Sequence, residues 1–149
     1  MAVAALNRRQ FATSVSVHVI EPQALFIDSL GEIFDEVGLE VQRVSKDADF
    51  RELLDEQPRV LFVDVDFSSQ EPLKLITLLR TLLPKALIAV YTSQRSAEWA
   101  KATHFAGANA VISKSAERHE IVAGLKQMMD TGEFIDVRLR SSLADKGEI

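Results

Sequence analysis

Four short apolar runs divide the sequence and mark the strands of a predicted sheet. They cover residues 15–20, 60–63, 86–91 and 110–112, and valine and isoleucine are frequent in them. β-Branched residues favour strands. Two of the runs are nearly continuous, as in parallel strands covered on both faces. A weaker run at residues 40–44 alternates apolar and polar positions, which predicts a strand near the edge of the sheet.

Segments with helical spacing separate these runs. In each of them, apolar residues recur mostly three or four positions apart, which is typical of helices that pack one face on a core. Asp47 or Asp49 is a candidate cap for the short second helix, and Ser115 is predicted to open the fifth. Candidate C-caps follow three of the helices: Gly38, Gly107 and Gly132.

Strand and helix therefore alternate five times along the chain. This order predicts an α/β fold with a five-stranded parallel sheet, doubly wound (βα)5, because each right-handed crossover requires a helix. We assign residues 14–132 to this domain and residues 1–13 to a flexible N-terminal tail. Residues 133–149 are interpreted as a C-terminal linker or tail, with a helical turn near residues 138–143.

Composition narrows the classes of function. The 149 residues carry a net charge of −5, which argues against nonspecific nucleic-acid binding by this chain alone. The absence of cysteine excludes disulfides and thiolate chemistry and suits a cytoplasmic protein. No stretch approaches the roughly 20 apolar residues of a membrane span, so no membrane association is expected.

Polar residues stand where the predicted strands end. Glu21 and Pro22 follow the first, Asp64 and then Asp66 the third, Thr92 the fourth and Lys114 the fifth. Functional groups of parallel α/β sheets gather at the carboxyl ends of the strands. Clustered carboxylates can hold a hard cation such as Mg²⁺, and one beside the metal can attack a phosphoryl group. A hydroxyl and an ammonium could then hold the added oxygens.

At these residues the chain resembles the receiver domain of two-component response regulators, which has a flavodoxin-like fold. "PRVLFVDVDF" resembles the third strand of that family, "IAVYTS" the fourth and "GANAVISKS" the fifth. The resemblance implies that a histidine kinase or a phosphotransfer protein phosphorylates Asp64. Thr92 is then the switch hydroxyl and Lys114 the phosphate-contacting lysine. Mg²⁺ would be held by Glu21, Asp64 and the carbonyl of Asp66.

Three departures from the family pattern affect this site. Pro22 replaces the second acidic residue after the first strand, which should weaken Mg²⁺ binding. The Asp66 side chain could compensate, directly or through water, or it could be a solvated loop residue. Val111 stands where many receivers have an aromatic switch residue, and valine has no ring to relocate.

These departures leave two main hypotheses. In the first, the domain is a phosphorylated switch that changes the surface of the fourth helix, fifth strand and fifth helix, a common dimerisation face in the family. In the second, it is a pseudo-receiver that signals by protein contact without phosphorylation. A small α/β enzyme is a third reading, but no glycine-rich phosphate loop, catalytic triad or zinc spacing supports it, so we expect no enzyme.

A second resemblance concerns the segment after the domain. "TGEFIDVRLRSSL", residues 131–143, is similar to the linker that follows the receiver in bacterial regulators with a LuxR-type helix-turn-helix output. Transcription regulation and DNA binding are implied only if such a domain exists C-terminal to this chain. An arbitrary polar tail is the alternative reading.

Overall fold

A computed structural model describes residues 15–93 and 95–139. Within these residues, strands and helices alternate in the predicted order. The strands are β1 (Val15–Ile20), β2 (Leu39–Ser45), β3 (Val60–Asp64), β4 (Leu87–Thr92), β5 (Ala110–Ser113) and β6 (Phe134–Ile135). The α-helices are α1 (Ala24–Val37), α2 (Phe50–Glu56), α3 (Pro72–Leu82), α4 (Ala97–Ala106) and α5 (Arg118–Thr131), and a 3-10 turn follows at Val137–Leu139. The predicted tail at residues 1–13 lies outside the described residues.

All strands pair in parallel, in the order β2-β1-β3-β4-β5-β6. β2 is an edge strand, as its alternating pattern predicted, and Val41 and Val44 are exposed on it. β3 lies in the middle of the sheet, and its five residues are all buried. The carboxyl end of β3 is therefore flanked by the carboxyl ends of β1 and β4.

Helices cover both faces of the sheet, so the core has two layers. One layer joins the sheet to α1 and α5, and Phe62 is at its centre, with its ring 5.2 Å from the rings of Phe34 and Tyr91. The other layer joins the sheet to α2, α3 and α4. Alternate residues of β3 enter opposite layers, because successive side chains of a strand point to opposite faces.

Local hydrogen bonds explain where most helices begin. Asp49 caps α2 by accepting from the N–H of Glu52 at 3.1 Å, and Ser96 caps α4 by accepting from the N–H of Trp99 at 3.0 Å. The prediction that α5 opens at Ser115 was wrong. The chain first turns, with Ala116 N–H donating to the Ser113 carbonyl, and the helix starts only at Arg118.

The sheet contains a sixth strand that the sequence pattern did not predict. β6 pairs with β5, and Phe134 packs so closely on α5 that a side chain at Gly124 would meet its ring at 2.6 Å. Asp136 is buried and accepts from the N–H of Ser113 at 3.2 Å, and Leu139 is buried in the core. The segment predicted to begin a tail therefore packs on the sheet as far as residue 139. The rest of the predicted turn, residues 140–143, lies outside the described residues.

Candidate functional site

The parallel sheet brings the predicted site residues to one edge. Glu21, Asp64, Thr92 and Lys114 stand at or just beyond the carboxyl ends of β1, β3, β4 and β5. Asp64 is the most central of them because β3 lies between β1 and β4. This is the edge at which the sequence analysis predicts that an acid, an alcohol and an amine share one pocket.

Asp64 is almost completely buried and uses both carboxylate oxygens. Its side chain is 0 % exposed, and Oδ2 lies 2.7 Å from Nζ of Lys114. Oδ1 accepts a hydrogen bond from the backbone N–H of Asp66 at 3.0 Å. This second hydrogen bond closes a turn just after β3 and holds the backbone of Asp66 beside the Asp64 carboxylate.

The Asp66 carboxylate lies between Thr92 and Lys114. The Thr92 hydroxyl donates to Asp66 Oδ1 at 2.8 Å, and the backbone N–H of Ser93 donates to Oδ2 at 2.8 Å. Nζ of Lys114 lies 3.0 Å from Oδ2. The Asp66 carboxylate thus accepts hydrogen bonds from a hydroxyl, a backbone amide and an ammonium at the same time. It is not the solvated loop residue that the sequence left open.

These contacts control the charges of the pocket. Burial acts to raise the pKa of Asp66, but hydrogen bonds from Lys114, Thr92 and Ser93 outweigh it and hold the pKa below its usual value. Burial acts to lower the pKa of Lys114, whereas its hydrogen bonds to Asp64 and Asp66 raise the pKa above its usual value. Lys114 is therefore a cation and Asp66 an anion at neutral pH.

Aromatic rings surround the ammonium group of Lys114. Nζ lies 5.0 Å from the ring centre of Phe67, 5.5 Å from that of Tyr91 and 5.7 Å from that of Phe26. Rings at these distances attract a cation through their negative faces. Sequence analysis did not identify Phe26 or Phe67. For Phe67 the only available signal was an aromatic residue directly after Asp66.

Arg95 is another residue that sequence analysis missed. Its Nε donates to the Thr92 hydroxyl at 3.3 Å, and its guanidinium lies 3.6 Å from Asp66 Oδ1 and 4.8 Å from the ring centre of Trp99. The Thr92 hydroxyl, which is completely buried, therefore both donates and accepts. Val111 is also completely buried, as is expected of a core residue.

Glu21 is buried at the end of β1 with one oxygen unpaired. Oε2 accepts from the N–H of Gln23 at 3.0 Å, whereas Oε1 has no hydrogen-bond partner within the described part of the chain. Burial raises the pKa of Glu21 to about 7. Asp64 acts in the same direction, through its negative charge and through the hydrogen bond that a protonated Glu21 would donate to it, whereas the Gln23 N–H and Lys114 act against it. A Glu21 side chain protonated on the unpaired oxygen would donate a hydrogen bond to Asp64.

The stability of the metal-free protein should therefore depend on pH through Glu21. The folded pKa of about 7 lies above the ordinary value of 4.5, so the stabilisation is full below the lower value and is lost as pH rises through the higher one. We expect the free energy of unfolding to fall by on the order of 2 kcal/mol between pH 5 and pH 8.

Urea unfolding in EDTA at several pH values measures this dependence. Glu21→Gln should flatten it, because glutamine does not titrate, whereas Glu98→Gln on the exposed side of α4 should leave it unchanged. Equal pH profiles for wild type and Glu21→Gln would show that another group titrates.

A Mg²⁺ site in this pocket fits the donor chemistry only in part. The unpaired Oε1 of Glu21 and the carboxylate of Asp64 are suitable oxygen ligands. Pro22 supplies no side-chain oxygen, and the Asp66 carboxylate is already bound to its three donors. Within residues 15–93 and 95–139, no three acidic or histidine side chains are arranged to hold a metal ion. Glu21, Asp64 and the Asp66 carbonyl remain the predicted ligands.

Comparisons with known proteins agree with this fold. Residues 17–126 match the family described as the response regulator receiver domain. No curated protein is detectably similar to the chain by sequence.

Solved structures share the fold at low sequence identity. A LuxR-family two-component response regulator from Aurantimonas sp. SI85-9A1 is 15% identical with a TM-score of 0.79, over 91% of this chain and 99% of that one. The isolated receiver domain of RcsB from Salmonella enterica serovar Typhimurium, in the presence of the phosphomimetic BeF3-, is 14% identical with a TM-score of 0.72, over 87% and 98%. The receiver domain of the putative regulator NarL from Mycobacterium tuberculosis is 18% identical with a TM-score of 0.68, over 79% and 98%.

None of the helices among the described residues has the length and apolar character that crossing a bilayer requires.

Proposed function

Because this chain belongs to the response regulator receiver domain family, we propose that Asp64 accepts a phosphoryl group from a histidine kinase or a phosphotransfer protein. The observation that carries the proposal is the shared pocket of Asp64, Thr92 and Lys114, in which the ammonium of Lys114 lies 2.7 Å from the Asp64 carboxylate. The domain would then act as a phosphorylated switch and not as an enzyme with its own small-molecule substrate.

The chemical step requires few groups beyond those of the pocket. An Asp64 oxygen forms a bond to phosphorus while the P–N bond of a phosphohistidine breaks. The imidazole nitrogen keeps that electron pair and takes up a proton. Lys114 balances the charge of the added oxygens, and Thr92 and the Ser93 N–H are the nearby donors. Mg²⁺, bound by Glu21, Asp64 and the Asp66 carbonyl, would neutralise negative charge at the reacting oxygens.

The output we propose is a change in a protein-binding surface. A phosphoryl group adds about −1.5 to −2 charges next to Thr92 and Lys114, at the ends of β4 and β5. A homodimer through the face of α4, β5 and α5 stays a prediction. The nearly complete exposure of Phe105 on α4, 93%, supports it. The outer edge of β5 is paired with β6, so a partner on this face would also meet β6.

Action in the cytoplasm, regulation of transcription and DNA contact belong to the same proposal. DNA contact would require a helix-turn-helix domain C-terminal to this chain, as the LuxR-like linker sequence suggests.

A second candidate function is the phosphorylation-independent pseudo-receiver. It is favoured by the Lys114 ammonium, which already lies within 3.0 Å of both Asp64 and Asp66, and by Pro22 in place of an acidic ligand. In this mode the fold and the pocket are kept for a permanent protein contact, and the Asp64 carboxylate remains an internal ion pair.

Small-molecule phosphodonors distinguish the two candidates. With millimolar Mg²⁺ and acetyl phosphate, we expect mass spectrometry to detect one added phosphoryl group, and Asp64→Asn should abolish it. Fluoroberyllate should shift the amide signals of Thr92, Ser93 and Lys114, and sedimentation velocity on the same samples reports any dimer. An unmodified Asp64 under these conditions would favour the pseudo-receiver.

The missing acidic ligand can be tested in the same protein. Pro22→Asp should strengthen Mg²⁺ binding roughly tenfold, because it restores a carboxylate ligand for a cation that requires oxygen donors in octahedral geometry. Isothermal titration calorimetry measures the change. An unchanged affinity would mean that Pro22 is not what weakens the site.

A further inference from the structure

We propose that the carboxylate of Asp66 occupies the position that the oxygens of a phosphoryl group on Asp64 would take, and so competes with phosphorylation. This inference rests on the proposed function and concerns a residue that controls it. Asp66 would then be neither a metal ligand through its side chain nor a residue that assists the transfer. It would be an internal anion that must leave before an external anion can be held.

The first observation is the chemistry of the donors. A phosphoryl group next to Asp64 requires donors for its oxygens, and the pocket offers a hydroxyl, a backbone N–H and an ammonium. All three bind the Asp66 carboxylate, at 2.8 Å from Thr92, 2.8 Å from Ser93 and 3.0 Å from Lys114. One carboxylate therefore uses the whole set.

The second observation is that Asp66 is fixed in place from several sides. Its backbone N–H donates to Asp64 Oδ1 at 3.0 Å, which holds the Asp66 backbone next to the Asp64 carboxylate. Its side chain is only 11 % exposed, and the Arg95 guanidinium lies 3.6 Å from Oδ1. A carboxylate held by charged and neutral donors in a site with little water is costly to displace.

The third observation concerns the switch hydroxyl. Thr92 is buried and its hydroxyl already points to an anion, although Asp64 carries no phosphoryl group. In a receiver whose output depends on this hydroxyl, the internal anion would hold the unphosphorylated domain near its switched arrangement. Asp66 would thus reduce both the affinity for an external anion and the structural change that binding causes.

Fluoroberyllate titration of wild type and Asp66→Ala tests the inference. We expect the variant to bind at about one-tenth of the concentration that wild type requires, or less, since at least one charge-assisted hydrogen bond no longer has to be broken. Labelling of Asp64 by acetyl phosphate should likewise be greater in Asp66→Ala than in wild type. Asp66→Asn keeps the shape and loses the charge, so it should lie between the two if alanine disturbs the loop.

Two controls isolate the effect. Asp28→Ala on the exposed side of α1 makes the same change in net charge and should titrate like wild type. Asp64→Asn in the Asp66→Ala background should abolish labelling, which confirms the site. The amide signals of Ser93 and Lys114 in Asp66→Ala, before any anion is added, report whether the donors have been released.

The outcomes separate the inference from the proposed function. Labelling of the variant but not of wild type supports the inference and assigns the natural chain to the pseudo-receiver mode. Equal titrations of wild type and Asp66→Ala overturn the inference while the proposed function stands. If neither protein binds fluoroberyllate nor is labelled, both are wrong.

Discussion

Replacement of Lys114 by methionine is expected to lower the free energy of unfolding by about 3 kcal/mol at neutral pH, since removing one partner of a buried ion pair leaves an uncompensated charge. Lys114 lies 2.7 Å from Asp64 and 3.0 Å from Asp66, and its side chain is only 14 % exposed. Without the ammonium, two carboxylates would face each other. Methionine keeps much of the length of lysine and can pack on the rings of Phe26 and Phe67.

The destabilisation should depend on pH in a defined direction. In wild type the pKa of Asp66 is lowered, so its stabilising contribution is present above the ordinary value and is lost as pH falls through the folded value. In Lys114→Met, Asp66 loses the ammonium that lowers its pKa, so its protonation costs the folded variant less and the variant is relatively more stable in acid. The difference between the two proteins should therefore be largest at neutral pH and shrink below about pH 4.

Urea unfolding at pH 7 and pH 4 measures both effects. Lys126→Met on the exposed side of α5 is a matched control and should change stability by less than about 0.5 kcal/mol. A Lys114→Met variant as stable as this control would show that the ion pairs contribute nothing to the folded state.

Replacement of Arg80 by alanine is also expected to lower the free energy of unfolding by about 3 kcal/mol, because hydrogen bonds to charged groups are among the stronger ones and several partly buried acceptors would lose their donor. The guanidinium lies at the end of α3 and donates to five oxygens. They are the carbonyls of Leu83, Pro84, Ala86 and Gly107 and Oδ1 of Asn109, at 2.7 to 3.2 Å. This side chain ties α3 to the turns before β4 and β5.

Gly107 shows how closely this connection is packed. Its φ is +134°, and a Cβ at this position would lie 2.6 Å from Cβ of Arg80. The glycine therefore both closes α4 and lets the arginine cross the turn.

Arg118→Ala is the matched control for Arg80→Ala. Arg118 pairs with Glu32 and Glu36 on the surface and is 51% exposed, so its loss should cost no more than about 1 kcal/mol. Arg80→Lys should lower the free energy of unfolding by less than Arg80→Ala does. It should still lower it, since an ammonium cannot reach all five oxygens. Chemical denaturation measures the free energy of unfolding of the three variants side by side. Equal losses for Arg80→Ala and Arg118→Ala would contradict the stabilising role assigned to Arg80.

Most of the fold could be predicted because its signals are local. The apolar runs at residues 15–20 and 60–63 reappear almost unchanged as β1 and β3, and glycines end three helices where expected. β6 could not be predicted in this way. Two residues carry no periodicity, and the pairing of Phe134 and Ile135 with β5 depends on the close approach to Gly124.

The same distinction applies to the candidate site. In a parallel sheet the residues that follow the strands meet at one edge. The grouping of Asp64, Thr92 and Lys114 could therefore be predicted from the sequence. The position of the Asp66 carboxylate was not, because a side chain after a strand can turn to water or to the pocket. Arg95 was missed for the same reason.

The sequence by itself determined the alternation of strands and helices, the family resemblance and the chemical types of the groups at the strand ends. Only the tertiary structure decided that the Lys114 ammonium contacts both Asp64 and Asp66 and that the Thr92 hydroxyl donates to Asp66. It also decided that Glu21 keeps an unpaired oxygen. Hydrophobic periodicity is a property of neighbours along the chain. The pairing of charges depends on distances of about 3 Å between side chains from different strands, and only packing sets those distances.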